Sequence, residues 1–401
     1  MAREHISTGV DIGTTTLQVA TFIFPANSKP RALALVKAPV GGMRKGFVVD
    51  ADSAASSLAA ALKEASLTSG ARLDSVVMGV SGPGVRANLV EGAVASGRAD
   101  GEIASEDVER SLKMASASIK NPNRELFHII PRYFNVDQEV GVWDPVGMKG
   151  LNLKAFAVAV EGSKSYMNSL EAISKLVRVK VSDIVFNPLA ASEIVLSPHD
   201  KEIGTLLVDI GGATTTYALF EDGSLGGGGT LSFGSRHVTT DIGLGFRIDL
   251  ALAEKLKCEY GTTRSKDIAR KDLISFSNDP STHWSKKELA EVIEARVREI
   301  FEELAKELKR LGRLGLLPGG CVLYGGGAKL GSILDVAKTE LRLPGRLVEF
   351  RSNEGEEAMD LEFINACALA YWNEKHSSGE RFSFTKDKSG PFMRFLKSLL
   401  P

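Results

Sequence analysis

A chain of 401 residues is long enough for two or more domains with cores of their own. Its 49 Lys and Arg balance 50 Asp and Glu, and the net charge of -1 argues against a dedicated nucleic-acid binder, which would be clearly basic. Three scattered cysteines, the lack of an apolar core in residues 1–5 and the absence of any run of about 18 apolar residues argue against a zinc or disulfide frame, a signal peptide and a membrane span; a cytoplasmic location is expected.

In chain order, residues 6–24 read as strand, turn and strand, with 17–24 as the return arm. Residues 52–66 are expected to be helical, with Asp52 or Ser53 as N-cap. A buried strand at 76–80 runs into Ser81-Gly82-Pro83-Gly84. The texture then changes. A helix at 105–119 opens with Ser105-Glu106-Asp107, and strands follow at 126–136 and 151–160, so 84–164 reads as an inserted small α/β subdomain. A helix at 163–177, a strand at 183–186 and a helix at 188–196 lead to a second strand–turn–strand at 205–220. A Gly-rich stretch at 223–234 is expected to separate it from a helical block at 239–259. A long amphipathic helix at 285–312 follows, in which Leu289, Ile293, Val297, Ile300, Leu304 and Leu308 recur at helical spacing. A buried strand at 321–324 ends in three glycines, with a helix starting near Lys329 and a last globular helix at 359–372. Residues 376–390 are polar and turn-rich, the composition of a linker.

Two stretches nearly repeat each other. Residues 9–16 read GVDIGTTT and residues 208–216 read VDIGGATTT; each follows a β-branched run and places an Asp before a Gly/Thr turn. Gly13 can adopt the positive φ that brings consecutive backbone N–H groups to one side. The hydroxyls of Thr14, Thr15 and Thr16 add donors for phosphate oxygens, and Gly211, Gly212, Ala213, Thr214 and Thr215 repeat that chemistry. Asp11 and Asp209 suit Mg²⁺ held through water, because that ion keeps several of its waters. One such turn alone reads best as a hairpin. Two that face each other across a cleft can hold a phosphate chain and its metal from both sides. Gly325, Gly326 and Gly327, followed by Ala328, leave room for a flat ring or a ribose against the backbone. Glu254 and Lys257, one helical turn apart, are an ordinary surface pair in isolation and a contact to ribose and base edge within such a site.

Residues 391–401 are a different device. On a helical wheel Phe392, Met393, Phe395, Leu396, Leu399 and Leu400 fill one arc of about 160°, opposite Arg394, Lys397 and Ser398. A helix this short is marginal in water and gains order by burying its apolar face at a membrane interface, with its cations near anionic headgroups. The alternative is docking on the protein's own core. Polymerisation would strengthen so weak an anchor through avidity.

Phosphate turn, connecting strand–helix, second phosphate turn and Gly-rich turn is an order that resembles the actin/Hsp70/sugar-kinase superfamily. More narrowly, the chain resembles the FtsA family of bacterial actin-like cell-division proteins along almost its whole length. Further stretches carry that resemblance: GGMRKGFVVD at 41–50, Ile130-Pro131 with Val136-Asp137, DPVGM at 144–148 with Gly150, and HVTTDIG at 237–243 with AEKLK at 253–257. The resemblance implies an α/β, actin-like (ribonuclease H-like) two-lobed ATPase fold with an inserted FtsA-type α/β subdomain. Residues 1–83 and 165–198 would form the first-lobe core, 84–164 the inserted subdomain, 199–225 and 313–375 the second-lobe core, and 226–312 its helical subdomain. Residues 376–390 would be the linker and 391–401 the membrane-targeting helix.

The same resemblance implies ATP and Mg²⁺ between the lobes, and self-association into filaments at the lipid surface on the inner face of the cytoplasmic membrane. It also implies capture of the C-terminal tail of the tubulin-like FtsZ on the lobe that holds helices 239–312, and contacts to other divisome proteins through the inserted subdomain. Lys287, Arg296 and Arg298 are candidates to meet the acidic tail; a solvated basic helix face is the alternative. The chain departs from the family pattern at three places. Thr16 stands where relatives often carry Lys. Asn187 stands where Glu usually precedes the Pro, so it could position a water but not act as a base. Ala213 and Thr216 replace a usual Gly and Asp. ATP binding with slow or negligible hydrolysis is therefore expected. Two alternatives share the superfold. A small-molecule kinase would need a catalytic Asp, and no sugar-kinase signature supplies one. A pilus-assembly actin-like adaptor usually lacks the linker and tail.

Overall fold

The hairpin expected at residues 6–24 is the centre of the first lobe. Strands His5–Ile12 and Thr16–Phe24 pair antiparallel, with Asp11 opposite Gln18 and Ile12 opposite Leu17. Both faces of this hairpin are covered, so its residues are buried on both sides rather than alternately. Strand Arg31–Pro39 adds on one side, and the parallel strands Ser75–Val80 and Lys180–Phe186 add on the other, giving five strands. The computed structural model describes residues 4–25, 28–119, 121–275, 283–353 and 357–376. The expected membrane-targeting helix at 391–401, with Phe392, Met393, Arg394, Phe395, Leu396, Lys397, Leu399 and Leu400, and all of the linker after His376 lie outside the described residues. No helix among the described residues is long and apolar enough to cross a membrane.

Helix Ala51–Ser69 covers one face of this sheet. Its cap is Asp50 rather than Asp52 or Ser53: the Asp50 carboxylate accepts from the backbone N–H of both, at 3.1 Å each. Helix Ile364–His376 covers the other face and is buried nearly all round, which is why its sequence shows little polar periodicity. It lies directly on strand His5–Ile12. A Cβ on Gly9 would stand 2.1 Å from the Ala366 carbonyl oxygen, so only glycine lets the helix come this close.

The second sheet has nine strands, in the order Gly345–Leu347, Cys321–Tyr324, Thr205–Ile210, Thr215–Glu221, Ser224–Leu231, Arg86–Ala95, Asn152–Ser163, Arg124–Val136 and Glu139–Val142. The first five belong to the second lobe and the last four to the inserted stretch. The Gly-rich stretch expected to be a separator is instead strand Ser224–Leu231, and the expected boundary at 226 falls inside it. Backbone pairing needs no side chains, so four consecutive glycines hid the strand from any hydrophobic pattern. A Cβ on Gly228 would meet the Tyr217 carbonyl oxygen at 2.5 Å.

The two halves of this sheet pair through Gly228 with Ala87 and Gly229 with Arg86, and the Thr230 N–H donates to the Val85 carbonyl at 3.0 Å. An ionic cluster reinforces the seam. Buried Arg132, from the inserted stretch, lies 3.3 Å from Glu221 and 3.1 Å from Asp222, and Arg313 holds Glu221 from the second lobe at 2.6 Å.

The long helix is Lys286–Arg310, capped by Ser285, and its six spaced apolar residues are buried as the periodicity predicts. The expected block at 239–259 is two helices, Ser235–Phe246 and Leu250–Tyr260. Asp249 starts the second by accepting from the N–H of Ala251 and Leu252 at 2.9 Å. Gly325 caps a short 3-10 turn, Gly326–Lys329, which takes in the other two glycines, and the regular helix begins only at Ile333.

Candidate functional site

The two Asp-Ile-Gly turns close in the same way. Gly13 N–H donates to the Thr16 carbonyl at 3.0 Å, and Gly211 N–H donates to the Thr214 carbonyl at 2.9 Å. Gly13 does not use the positive φ open to it. Glycine is needed there for room, since a Cβ would lie 2.6 Å from the Thr16 carbonyl oxygen. The turns face each other from opposite lobes: a Cβ on Gly212 would come within 3.1 Å of the Thr15 hydroxyl. The carbonyls of Gly211 and Gly212 also accept from the first N–H groups of helix Ser235–Phe246, which ties that helix to the second turn.

A cleft of about 760 Å³ opens between them. It is lined by Asp11, Gly13, Thr14, Thr15 and Thr16 from the first turn and by Asp209, Gly211, Gly212 and Thr214 from the second. Gly325, Gly326 and Gly327, with Glu254 and Lys257, complete the expected set. Four expected residues do not line it. Ala213, Thr215 and Ala328 are buried, and the Thr215 hydroxyl donates to the Phe233 carbonyl at 2.9 Å. Asn187, expected to position a water, is fully buried behind Asp11 and donates to Asp11 Oδ1 at 2.9 Å. Gly79 makes this possible, because a Cβ there would lie 2.0 Å from Asn187 Oδ1.

The two aspartates are joined by a residue that sequence reasoning missed. Asn365, on the first turn of helix Ile364–His376, donates from Nδ2 to Asp11 Oδ2 at 2.9 Å and to Asp209 Oδ2 at 2.8 Å. The close approach allowed by Gly9 brings Asn365 there; Asp11 is two residues further along the strand, on the same face. Burial raises the pKa of both carboxyls. Asp209 is pushed to about 7, first by burial and then by the charge of Asp11, while the Asn365 hydrogen bond pulls the other way.

Asn365 Oδ1 is buried and has no hydrogen-bond partner among the described residues. Gly325, at φ +86°, clears the second carboxylate: a Cβ there would lie 2.2 Å from Asp209 Oδ1. Two buried carboxylates, an orphaned amide oxygen and two turns with exposed N–H and hydroxyl groups fit a hydrated divalent cation beside an anion. No group of three or more His, Cys, Asp or Glu that could hold a bare metal gathers among the described residues.

Glu254 is half-exposed at the cleft, but its partner is not on the surface. Lys257 is buried and its Nζ donates to Glu254 Oε2 at 2.7 Å and to the Thr239 hydroxyl at 3.0 Å. Burial opposes ionisation of Glu254, yet the hydrogen bonds from Lys257 and Thr239 hold its pKa below the ordinary value. The cleft also takes in residues that were not anticipated, among them Gln18, Lys37, Lys329, Glu362 and Tyr166. No local motif marks them.

The three basic residues singled out on the long helix do not form one patch. Arg296 makes a two-pronged pair with Asp241, at 2.5 and 3.0 Å, and also holds Glu299. Arg298 turns the other way, to Glu294 and Glu340. Residues two apart on a helix point to different sides, so the pairings follow from geometry. Lys287 is partly exposed at the start of the same helix.

Two α/β lobes closing on one cleft with a matched pair of Asp-Ile-Gly turns define an actin-like protein. Among solved structures, the PilM–PilN type IV pilus biogenesis complex is similar at 19% identity and a TM-score of 0.63, over 91% of this chain and 98% of that one. MreB5 of Spiroplasma citri bound to ADP is similar at 14% identity and 0.55, over 93% and 97%. At such identities the likeness concerns the fold.

Sequence relatives are more specific. The family model of cell division protein FtsA matches residues 206–368, and that of the SHS2 domain inserted in FtsA matches 82–160. Cell division protein FtsA of Pseudomonas aeruginosa is 31% identical over 342 residues, 84% of this chain and 82% of the relative. That of Borreliella burgdorferi is 29% identical over 397 residues, 98% and 95%. The chain belongs to the FtsA family of actin-like cell division proteins.

Proposed function

We propose that this chain is an ATP-binding, filament-forming adaptor that tethers FtsZ to the inner face of the cytoplasmic membrane during bacterial cell division. The observation that carries the reading is the meeting of Asp11 and Asp209, one from each lobe, on a single amide inside one cleft. A polyphosphate would be held by N–H and hydroxyl groups of Thr14, Thr15 and Thr16 on one side and of Gly212 and Thr214 on the other. Asp11 and Asp209 would hold Mg²⁺ through its waters, and the ion would supply charge neutralisation. Gly325 to Gly327, with Glu254 and Lys257, would take the nucleoside end. Slow or negligible hydrolysis is the expectation, because Asn187 is buried behind Asp11 and a carboxamide cannot act as a base.

Membrane attachment rests on the amphipathic pattern of 391–401, and FtsZ capture on the helical face of the second lobe. Of the basic candidates there, Lys287 is the better placed, since Arg296 and Arg298 already hold carboxylates of this chain. The inserted stretch at 84–164 is proposed as the contact to copies of the chain and to later division proteins.

Electron microscopy on a lipid monolayer with ATP and Mg²⁺ tests the whole reading. Full-length protein should form lipid-bound filaments, and protein truncated before Pro391 should not adhere. Full-length protein that neither binds ATP in calorimetry nor assembles would overturn it.

A further inference from the structure

Thr16 leaves the first turn without a cation, yet one stands beside that turn on the neighbouring strand. Lys37 pairs with Gln18 across strands Thr16–Phe24 and Arg31–Pro39. Gln18 Nε2 in turn donates to the Thr16 hydroxyl at 2.9 Å. Residues paired across adjacent strands present their side chains to the same face, so Lys37 follows Gln18 into the cleft, and both line it.

From the second lobe, Lys329 ends the Gly-rich turn and lines the same cleft. Both ammonium groups converge on one carboxylate. Lys37 Nζ meets Glu362 Oε2, and Lys329 Nζ donates to Glu362 Oε1 at 2.7 Å; Lys329 also holds Asp360 at 2.7 Å. The Glu362 side chain is only 17% exposed, against 44% for Lys37 and 40% for Lys329. Burial works against its charge, but the two lysines hold its pKa below the ordinary value, so Glu362 is a fixed anion inside the cleft. A strap of lysine, glutamate and lysine thus runs from the first lobe to the Gly-rich turn of the second.

We infer that Lys37 is the phosphate-neutralising cation of this chain, and that Glu362 holds Lys37 and Lys329 as an internal stand-in for a polyanion until nucleotide phosphates compete for them. The inference rests on the nucleotide reading above. The lysine ends of both pairs are half-exposed, so water can replace Glu362 and the lysines can exchange partners. A polyphosphate offers several charged acceptors to the same donors, and charge-assisted bonds of that kind are the stronger ones. Nucleotide entry would therefore release the strap between the lobes while the Asp11–Asn365–Asp209 bridge stays intact.

Calorimetry with ATP and with AMP, each with Mg²⁺, on the full chain tests this. Lys37→Gln should weaken ATP about tenfold and leave AMP nearly unchanged, whereas Lys37→Arg should keep the wild-type ratio. Glu362→Gln should tighten ATP severalfold, because the lysines are then less occupied. If Lys37 only braces the fold, Lys37→Gln will lower the melting temperature and leave the ATP-to-AMP ratio at its wild-type value, which overturns the assignment. A Glu362→Gln protein that binds ATP more weakly overturns the stand-in role. Wild-type protein that binds neither nucleotide removes the reading underneath, a result distinct from both.

Discussion

Asp11 and Asp209, almost two hundred positions apart in the chain, accept hydrogen bonds from the same nitrogen, Asn365 Nδ2, at 2.9 and 2.8 Å. The amide sits where two buried carboxylates would otherwise repel each other. Replacing it with Ala removes two hydrogen bonds to buried carboxyls; Asp11 keeps the one from Asn187, while Asp209 loses the one from Asn365. Asn365→Ala should destabilise the ligand-free protein by about 3 kcal/mol. With Mg²⁺ and ATP present the loss should be smaller, since the cation takes over the screening. Urea titrations with and without Mg²⁺-ATP measure both, and an equal loss in the two conditions would argue against a cation at this bridge.

Gly9 sets the distance on which that bridge depends. With a Cβ 2.1 Å from the Ala366 carbonyl, helix Ile364–His376 must move off the strand or the strand must bend. Gly9→Ala should cost about 3 kcal/mol or abolish soluble expression. Gly70→Ala, at the exposed end of helix Ala51–Ser69 with nothing within 4 Å of its Cβ, should lose far less even though its φ of +66° is strained. Thermal melts of the two variants side by side provide the comparison.

His128 gives the fold a pH dependence of known sign. Its ring is buried beside Phe127 and Trp372, and its Nε2 accepts from the Phe186 N–H at 3.2 Å. Burial, and then the charge of His376, lower its pKa from 6.5 to about 3. The folded state therefore refuses a proton that the unfolded chain accepts below 6.5. This contribution is complete above pH 6.5 and is lost as pH falls toward 3, at more than about 1 kcal/mol per unit. His128→Gln should flatten the fall in melting temperature between pH 6.5 and 4.5. A variant that tracks wild type over that range would show that His128 is not the group responsible.

The seam between the inserted stretch and the second lobe should be weak without its ionic cluster. Arg132 is buried against Glu221, and the strands there share a short ladder from Gly228 to Thr230. Arg132→Ala should cost about 3 kcal/mol by leaving Glu221 less compensated. Faster hydrogen exchange should be confined to strands Ser224–Leu231 and Arg86–Ala95, leaving His5–Ile12 protected. Uniformly faster exchange would mean that the cluster supports the whole fold rather than the seam.

What could be read from the residues in order was whatever repeats locally. The duplicated Asp-Ile-Gly turns carry their own strand, turn and hydroxyls within nine positions, and the helix at 286–310 shows its buried face through spacing alone. Strand Ser224–Leu231 could not be read, because glycines carry no pattern and only neighbouring strands make them a strand. Asn187 looked like a residue for a water and proved to be a support for Asp11, because burial and not residue type decides what a carboxamide faces.

The order of residues was enough to mark an actin-like chain with two matching Asp-Ile-Gly turns. Tertiary structure alone decided that both turns open on one cleft. It also decided that Asn365, 354 positions from Asp11, bridges them, and that Lys37, Glu362 and Lys329 meet at its edge. Side chains act across space at about 3 Å, and where the backbone does not bring its neighbours close in sequence, only packing can choose the partners.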